Sequence, residues 1–371
     1  MAGCADYKRP MYRVVATDVE LDAAMPALEL ASTVALDTEF HPERTYRPRL
    51  LLVQLCVSGL PPLILDPLGG LTLRRLGPVL AQARLVVHGG VWDLRLLADH
   101  AGLVPRVVSD TQLVAAFAGL GWPRRLQDLL SIVLGAELDK GCTLSDWSRR
   151  PLSRAQLEYA AADVSLLAEL DTALRKRVHA LGNDAWLAAA EAEHVAEALA
   201  PVQPQRAWER VPGAHLLDDA ARGTLRALAA WREDHACQHD VPLHQLVSDS
   251  ALLDLARRRP RSADEMRENR RLPASVWKTH ATPLLRMLAE SAAPTPALPR
   301  GARADVLRAA ARAAAASRGM SGDLLLRDCE IDYILTGSAG PSWRLAALGP
   351  EFLGFLDGNR VLDCHGALVN R

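Results

Sequence analysis

The chain has 371 residues, enough for two or three domains that each bury a core of their own. Hydrophobic residues make up 49% and charged residues 23%, which excludes a disordered chain. Lys and Arg number 43 against 44 Asp and Glu, so a net charge of −1 excludes a uniform polycation but permits a local basic patch.

Residues 33–40 (TVALDTEF), 50–57 (LLLVQLCV), 63–66 and 85–88 are short and apolar, the pattern of strands buried in a sheet. Residues 71–83, 91–101, 111–118 and 126–134 carry helical periodicity between and after them. The alternation predicts a layered α/β domain. Ser153 with Gln156 three residues on forms a capping box, opening a helix expected to run to His179. Beyond Gly182 the strand pattern stops. Pro201 to Pro204 marks a connection, and residues 221–290 are helical with breaks at Pro242, Pro260 and Pro273. Residues 291–300 hold three prolines among small residues and read as a linker. Residues 302–357 form a last helical segment. The six cysteines (Cys4, Cys56, Cys142, Cys237, Cys329, Cys364) show no C-x-x-C pair, against a zinc ribbon or a secreted disulfide framework. No apolar run approaches the ~20 residues of a membrane span. The polar N-terminus lacks a signal-peptide pattern, so a cytoplasmic location is expected.

The informative residues are acidic. Asp37 and Glu39 are two apart in a strand and share one face. Such a pair in an apolar strand is costly unless neutralised, and a hard divalent cation is the natural partner for oxygen donors. About one residue in eight is acidic, so the pair alone is equally compatible with two solvated carboxylates at a strand end. Asp93 lies one turn into a helix after the Gly89-Gly90 turn, at the kind of strand–helix junction where α/β sites gather. Alone, it reads as a complement to the helix dipole. Tyr159 and Asp163 share a helix face, separated by Ala160-Ala161-Ala162, which lets the helix approach a sheet closely.

Taken in order, these segments resemble the ribonuclease D family. Residues 34–40 (VALDTEF), continuing through Glu43, Arg44, Thr45 and Tyr46 to Gln54, resemble its first exonuclease motif, and 87–94 (VHGGVWDL) the second. Residues 138–140 with Asp146-Trp147, then Pro151-Leu152 and QLEYAAADV at 156–164, resemble the third; Ser109-Asp110-Thr111-Gln112 also matches the family's text. These are the marks of DEDD exonucleases in their tyrosine-containing subgroup. Residues 228–289 resemble the HRDC domain, and the surroundings of 324–327 and Trp343-Arg344 resemble the family's second helical C-terminal domain. His41-Pro42, Gly141-Cys142 and the absence of a glycine near 270–273 depart from the pattern, and the last weakens the case for nucleic-acid contact at that turn.

The resemblance implies an RNase H-like α/β domain with a mixed central sheet and flanking helices, followed by two all-α domains. The expected boundaries are 1–200, 215–291 and 300–371. It implies a 3′–5′ exoribonuclease that removes nucleotides one at a time by a two-metal mechanism, releasing 5′-monophosphates. Asp37, Glu39, Asp93 and Asp163 would hold two divalent ions, Mg²⁺ or Mn²⁺. Tyr159 would orient the attacking water, since a phenol of pKa near 10 is a poor general base. The implied partner is RNA with a 3′ extension, tRNA precursors in particular, with no membrane, no organic cofactor and a monomeric chain. A DNA exonuclease and a non-catalytic RNA-binding protein are the alternatives.

His88, Gln54, Gln112, Arg258 and Arg271 are candidate substrate contacts. His88, Gln54 and Gln112 also read as structural, as does His41. Trp92 and Trp147 are read as core residues, with base stacking the alternative. Arg257, Arg258, Arg259, Arg261, Arg267, Arg270 and Arg271 could form a phosphate-binding face or a solvated one, because acidic residues are interspersed. The charge is divided accordingly: residues 1–221 hold 22 basic against 27 acidic side chains, and residues 222–290 hold 12 against 9.

Overall fold

The computed structural model describes residues 11–137, 145–290, 300–337 and 342–371. The third-motif segment 138–140, Gly141-Cys142 and most of the expected linker lie outside the described residues. Two compact units emerge. One comprises Met1–His41, Arg49–Ala200 and Ala315–Leu324; the other comprises Pro42–Pro48, Pro201–Ala314 and Leu325–Arg371.

The first unit is built on a six-stranded mixed sheet. Its strands are β1 (Arg13–Val15), β2 (Thr33–Phe40), β3 (Leu50–Val57), β4 (Leu63–Leu65), β5 (Arg84–Val87) and β6 (Val107–Asp110). They lie in the order β1-β4-β3-β2-β5-β6. β3 runs antiparallel to both β2 and β4, whereas β1–β4, β2–β5 and β5–β6 are parallel. β3 is covered on both faces, which explains its nearly unbroken apolar run. Val34, Leu36, Val53, Leu55, Leu85 and Val87 pack on one face with the helix Val91–Ala101, here α1. Ala35, Cys56 and Val86 pack on the other with Val164 and Leu167. The expected strands are all present. β1 and β6 were not anticipated: each is only three or four residues long and is defined by its parallel partner rather than by its own pattern.

Three helical expectations are corrected. Within 71–83 only Leu76–Leu80 is α-helical, preceded by a 3₁₀ turn at Leu73–Arg75. Pro78 is tolerated only in a first turn, so the helix cannot extend far to its N-terminal side. The helix opened by Ser153 is two helices, α2 (Arg154–Ser165) and α3 (Leu167–Ala180). Its capping box is present, but Leu166 leaves the helical region at φ −108° and ψ 3°. Ser165 Oγ donates to the Ala161 carbonyl at 2.5 Å, a back-bond that bends helices. The break lets α3 bury Leu167, Leu170, Leu174 and Val178. Third, residues 302–357 are interrupted: helices Arg300–Ala316, Gly322–Leu325, Asp328–Thr336 and Trp343–Leu356 follow one another.

The second unit is helical around a core that includes Leu225, Leu228, Leu252, Leu255, Val276 and Leu284. Its principal helices are α4 (Asp219–His239), α5 (Asp249–Arg258) and α6 (Ala274–Glu290). Tyr46 also packs against this core, and its hydroxyl donates to Glu233 at 2.8 Å. A small antiparallel pair, Arg360–Leu362 with Leu368–Asn370, ends the chain where helix or coil was expected. No helix among the described residues is long and apolar enough to cross a membrane.

Candidate active site

β2 sets the geometry. Asp37 and Glu39 point to the face covered by α2, and the register irregularity between Glu39 and Phe40 ends the regular pairing with β3. Ala160 and Ala161, fully buried, let α2 lie close against Leu51, Leu52 and Ile64 of the sheet. That approach delivers Asp163. Carboxylate oxygens of Asp37, Glu39 and Asp163 all lie within 4.8 Å of one another, and the three side chains are half-buried. One turn earlier on α2, the Tyr159 hydroxyl hydrogen-bonds the Asp163 carboxylate. Its ring lies 6.1 Å from that of Trp147, tilted by 41°. Trp147 is buried, as expected.

Asp93 enters from the other side of β2, in the first turn of α1, and is buried. Thr38, between the two acids of the strand, donates its hydroxyl to Asp93 Oδ1 at 2.5 Å. The turn before α1 is closely built. Gly89 has φ +66°, and a side chain on Gly90 would meet Val87 Cβ at 2.6 Å. The buried carboxylate of Asp110 accepts from Gly89 N at 2.9 Å and Gly90 N at 3.1 Å, and lies 3.1 Å from His194. Sequence reasoning had assigned no role to Thr38 or Asp110. Their signal lay in the resembling segments themselves, Thr38 inside VALDTEF and Asp110 inside the Ser109–Gln112 run.

The electrostatics follow from crowding. Burial, and then the charges of Asp93, Asp163 and Glu39, hold the Asp37 carboxyl well above the usual carboxylate range. Burial, Asp163 and Asp93 push Glu39 up to about 9. Burial raises Asp163 to about 7 against the opposing hydrogen bond from Tyr159, and Asp93 to about 6 against that from Thr38.

The other expected residues are distributed as follows. Gln54 pairs directly with Asp37 across β2 and β3, so it shares the face of the acids. It is fully buried, with neither amide atom hydrogen-bonded. His88 Nδ1 lies 2.9 Å from Thr111 Oγ1 and Nε2 3.0 Å from the Arg124 carbonyl. Gln112 donates to the same carbonyl at 3.2 Å. His41 lies 3.4 Å from Asp146. Trp92 corrects an expectation: it is 39% exposed, not a core residue. It sits beside Phe40 at 6.2 Å, with the Arg95 guanidinium 5.5 Å from its ring. The helix α1 buries Asp93, Leu94 and Leu97 instead, which leaves position 92 facing outward. Arg258 and Arg271 belong to the second unit. Arg258 pairs with Glu268 at 2.9 Å and Asp254 at 3.7 Å, and Arg271 is exposed.

A mixed sheet with a D-x-E strand, a helix-borne Asp across the sheet and a Tyr-x-x-x-Asp helix defines a class. Residues 12–179 match the model of the 3′–5′ exonuclease domain, and 221–288 match that of the HRDC domain. The chain is 31% identical to ribonuclease D of Granulibacter bethesdensis over 97% of its own length and 96% of the relative's. With ribonuclease D of Jannaschia sp. it shares 30% over 97% and 99%. The crystal structure of Escherichia coli RNase D, an exoribonuclease involved in structured RNA processing, matches with a TM-score of 0.72 at 27% identity, over 94% of this chain and 99% of that one. The chain belongs to the ribonuclease D family and is a 3′–5′ exoribonuclease.

Proposed function

We propose that this exoribonuclease matures the 3′ ends of structured RNA, tRNA precursors in particular, with two divalent ions held by Asp37, Glu39, Asp93 and Asp163. The convergence of Asp37, Glu39 and Asp163 within 4.8 Å carries the reading. The donor set fits the ions: it consists of carboxylate oxygens alone, the choice of Mg²⁺ or Mn²⁺. Its crowded charges favour a cation strongly. Bound there, two such ions supply an acidified water and offset charge on the phosphate in an in-line displacement.

The chain's own residues do the rest. Thr38 holds one oxygen of Asp93 in place, leaving the other for ligation. Tyr159, anchored through Asp163 and backed by Trp147, presents its hydroxyl to orient the attacking water rather than to take its proton. Gln54 lies beside Asp37 with unspent hydrogen-bonding capacity, fit to contact the terminal nucleotide or a water there. We assign His88 and Gln112 to the same region, and Arg258 and Arg271 to phosphate contact on the helical part. The division 1–200, 215–291 and 300–371, a monomeric state and a cytoplasmic location complete the proposal.

A 3′-extended tRNA and a single-stranded DNA of equal length, incubated in parallel, test the substrate assignment. Stepwise 3′ trimming of the RNA at a much higher rate is expected. Equal rates on both polymers would overturn the RNA preference, because discrimination must then ignore the 2′-hydroxyl.

A further inference from the structure

Away from the carboxylates, four rings meet on one part of the second unit. Trp231, His235 and His239 follow at four-residue spacing on α4 and share a stripe. Trp231 and His235 stack at 5.4 Å and 22°, and His235 and His239 at 4.1 Å and 27°. His280, from α6, stands edge-on to the stack, 4.5 Å from His235 and 5.4 Å from Trp231.

We propose that His235, His239 and His280 bind a transition-metal ion that seeks imidazole, Zn²⁺ foremost, and that this ion ties α4 to α6. Two histidines at i and i+4 reach one ion from a single helix face. A third from a neighbouring helix completes a three-nitrogen set with a fourth position open to water. His239 is already in the form such sites use. Its Nδ1 lies 2.9 Å from the His235 carbonyl, which sets the proton there and turns the Nε2 lone pair outward. Among the described residues no hydrogen bond or ion pair engages the ring nitrogens of His235 or His280. In the structure the rings are stacked rather than converged on a point. His239 is exposed and His235 half-buried, so both side chains have room to turn toward a common ion.

The untagged full chain, in excess Mg²⁺ to fill oxygen-donor sites, is titrated with Zn²⁺ by calorimetry and with Co²⁺ by visible absorption. One equivalent of Zn²⁺ is expected at about 1 μM or tighter. Each of His235→Gln, His239→Gln and His280→Gln should weaken it at least about 10-fold. His244→Gln, outside the stack, should not. Zn²⁺ should raise the unfolding temperature of the wild type and not of the triple variant. Intense Co²⁺ bands of tetrahedral nitrogen ligation in the wild type carry the proposal even where a variant fails to fold; their absence defeats it. Equal Zn²⁺ binding by wild type and folded triple variant overturns it. So does loss of single-stranded RNA binding by that variant in EDTA with no difference in Zn²⁺ uptake, which would make the stack a base platform.

Discussion

The Thr38 hydroxyl donates to Asp93 Oδ1 at 2.5 Å, joining the middle of the D-x-E strand to the acid on α1, on the face of β2 opposite Asp37 and Glu39. The strand thus does two jobs. Its α2 face presents Asp37 and Glu39, and its opposite face aims Asp93. Thr38→Val keeps the shape and removes the donor. We expect kcat to fall about 100-fold, the scale of a small misplacement at a reacting centre, with KM little changed. Thr38→Ser should restore most of it. Wild-type kcat in Thr38→Val would dismiss the positioning role.

The carboxylate cluster predicts how the metal-free protein responds to pH. Glu39 and Asp163 sit at about 9 and about 7, above their unfolded values. A carboxyl raised on folding stabilises the protein fully below its unfolded pKa and loses that contribution as pH rises through the folded value. In EDTA the melting temperature should therefore fall from about pH 4.5 to about pH 9 from this source. Mg²⁺ should restore it most at the alkaline end. Asp37→Asn removes one of the repelling charges, so in EDTA at alkaline pH it should melt higher than wild type while losing activity. Scanning calorimetry at three pH values checks this; a variant that melts lower in EDTA would contradict it.

Asp110 is the anchor of the turn that delivers Asp93. Burial pushes its carboxyl up, but His194 and the Gly89 amide outweigh burial and hold it below the ordinary value. Its stabilising contribution is accordingly present above about pH 4 and lost as pH falls through the depressed value. Asp110→Ala leaves the Gly89 and Gly90 amides and His194 without their acceptor. Denaturant titration should register a loss of about 3–5 kcal/mol, as for other buried charges stripped of a partner. A loss under about 1 kcal/mol would mean that the turn holds itself.

Trp92 lies next in sequence to Asp93, is exposed and sits beside Phe40, and we propose that it stacks on a base of the RNA end. Stacking on an aromatic side chain contributes about 1–3 kcal/mol per base. Trp92→Ala should raise KM for single-stranded RNA about 10-fold and leave kcat at saturation nearly unchanged. An unchanged KM would return Trp92 to a purely structural role.

Much of the site was legible in the sequence because the chemistry rests on spacing. A two-residue repeat places Asp37 and Glu39 together, and a four-residue repeat places Tyr159 above Asp163, whatever the surrounding tertiary structure. β3 was legible for the same reason, as an apolar run long enough to identify itself. What escaped was tertiary. β1 and β6 exist by pairing with β4 and β5. The break at Leu166 answers to the burial of α3 against the sheet, not to a proline or glycine. Trp92 looked like core by residue type, but which face of α1 is buried is decided by Leu94 and Leu97. Thr38 and Asp110 act through partners 55 and about 20 positions away, where local pattern says nothing.

The central claim is that Asp37, Glu39, Asp93 and Asp163 form one metal-dependent centre that shortens RNA from its 3′ end. A 5′-labelled RNA with a 3′ extension, incubated with Mg²⁺, with Mn²⁺ or with EDTA, tests it most directly beside Asp163→Asn. A ladder of products shortened one nucleotide at a time from the 3′ end is expected with either metal, with at least about 1,000-fold less activity in EDTA and in the variant. Undiminished trimming in EDTA, or loss of the 5′ label as mononucleotide at the outset, would contradict the account.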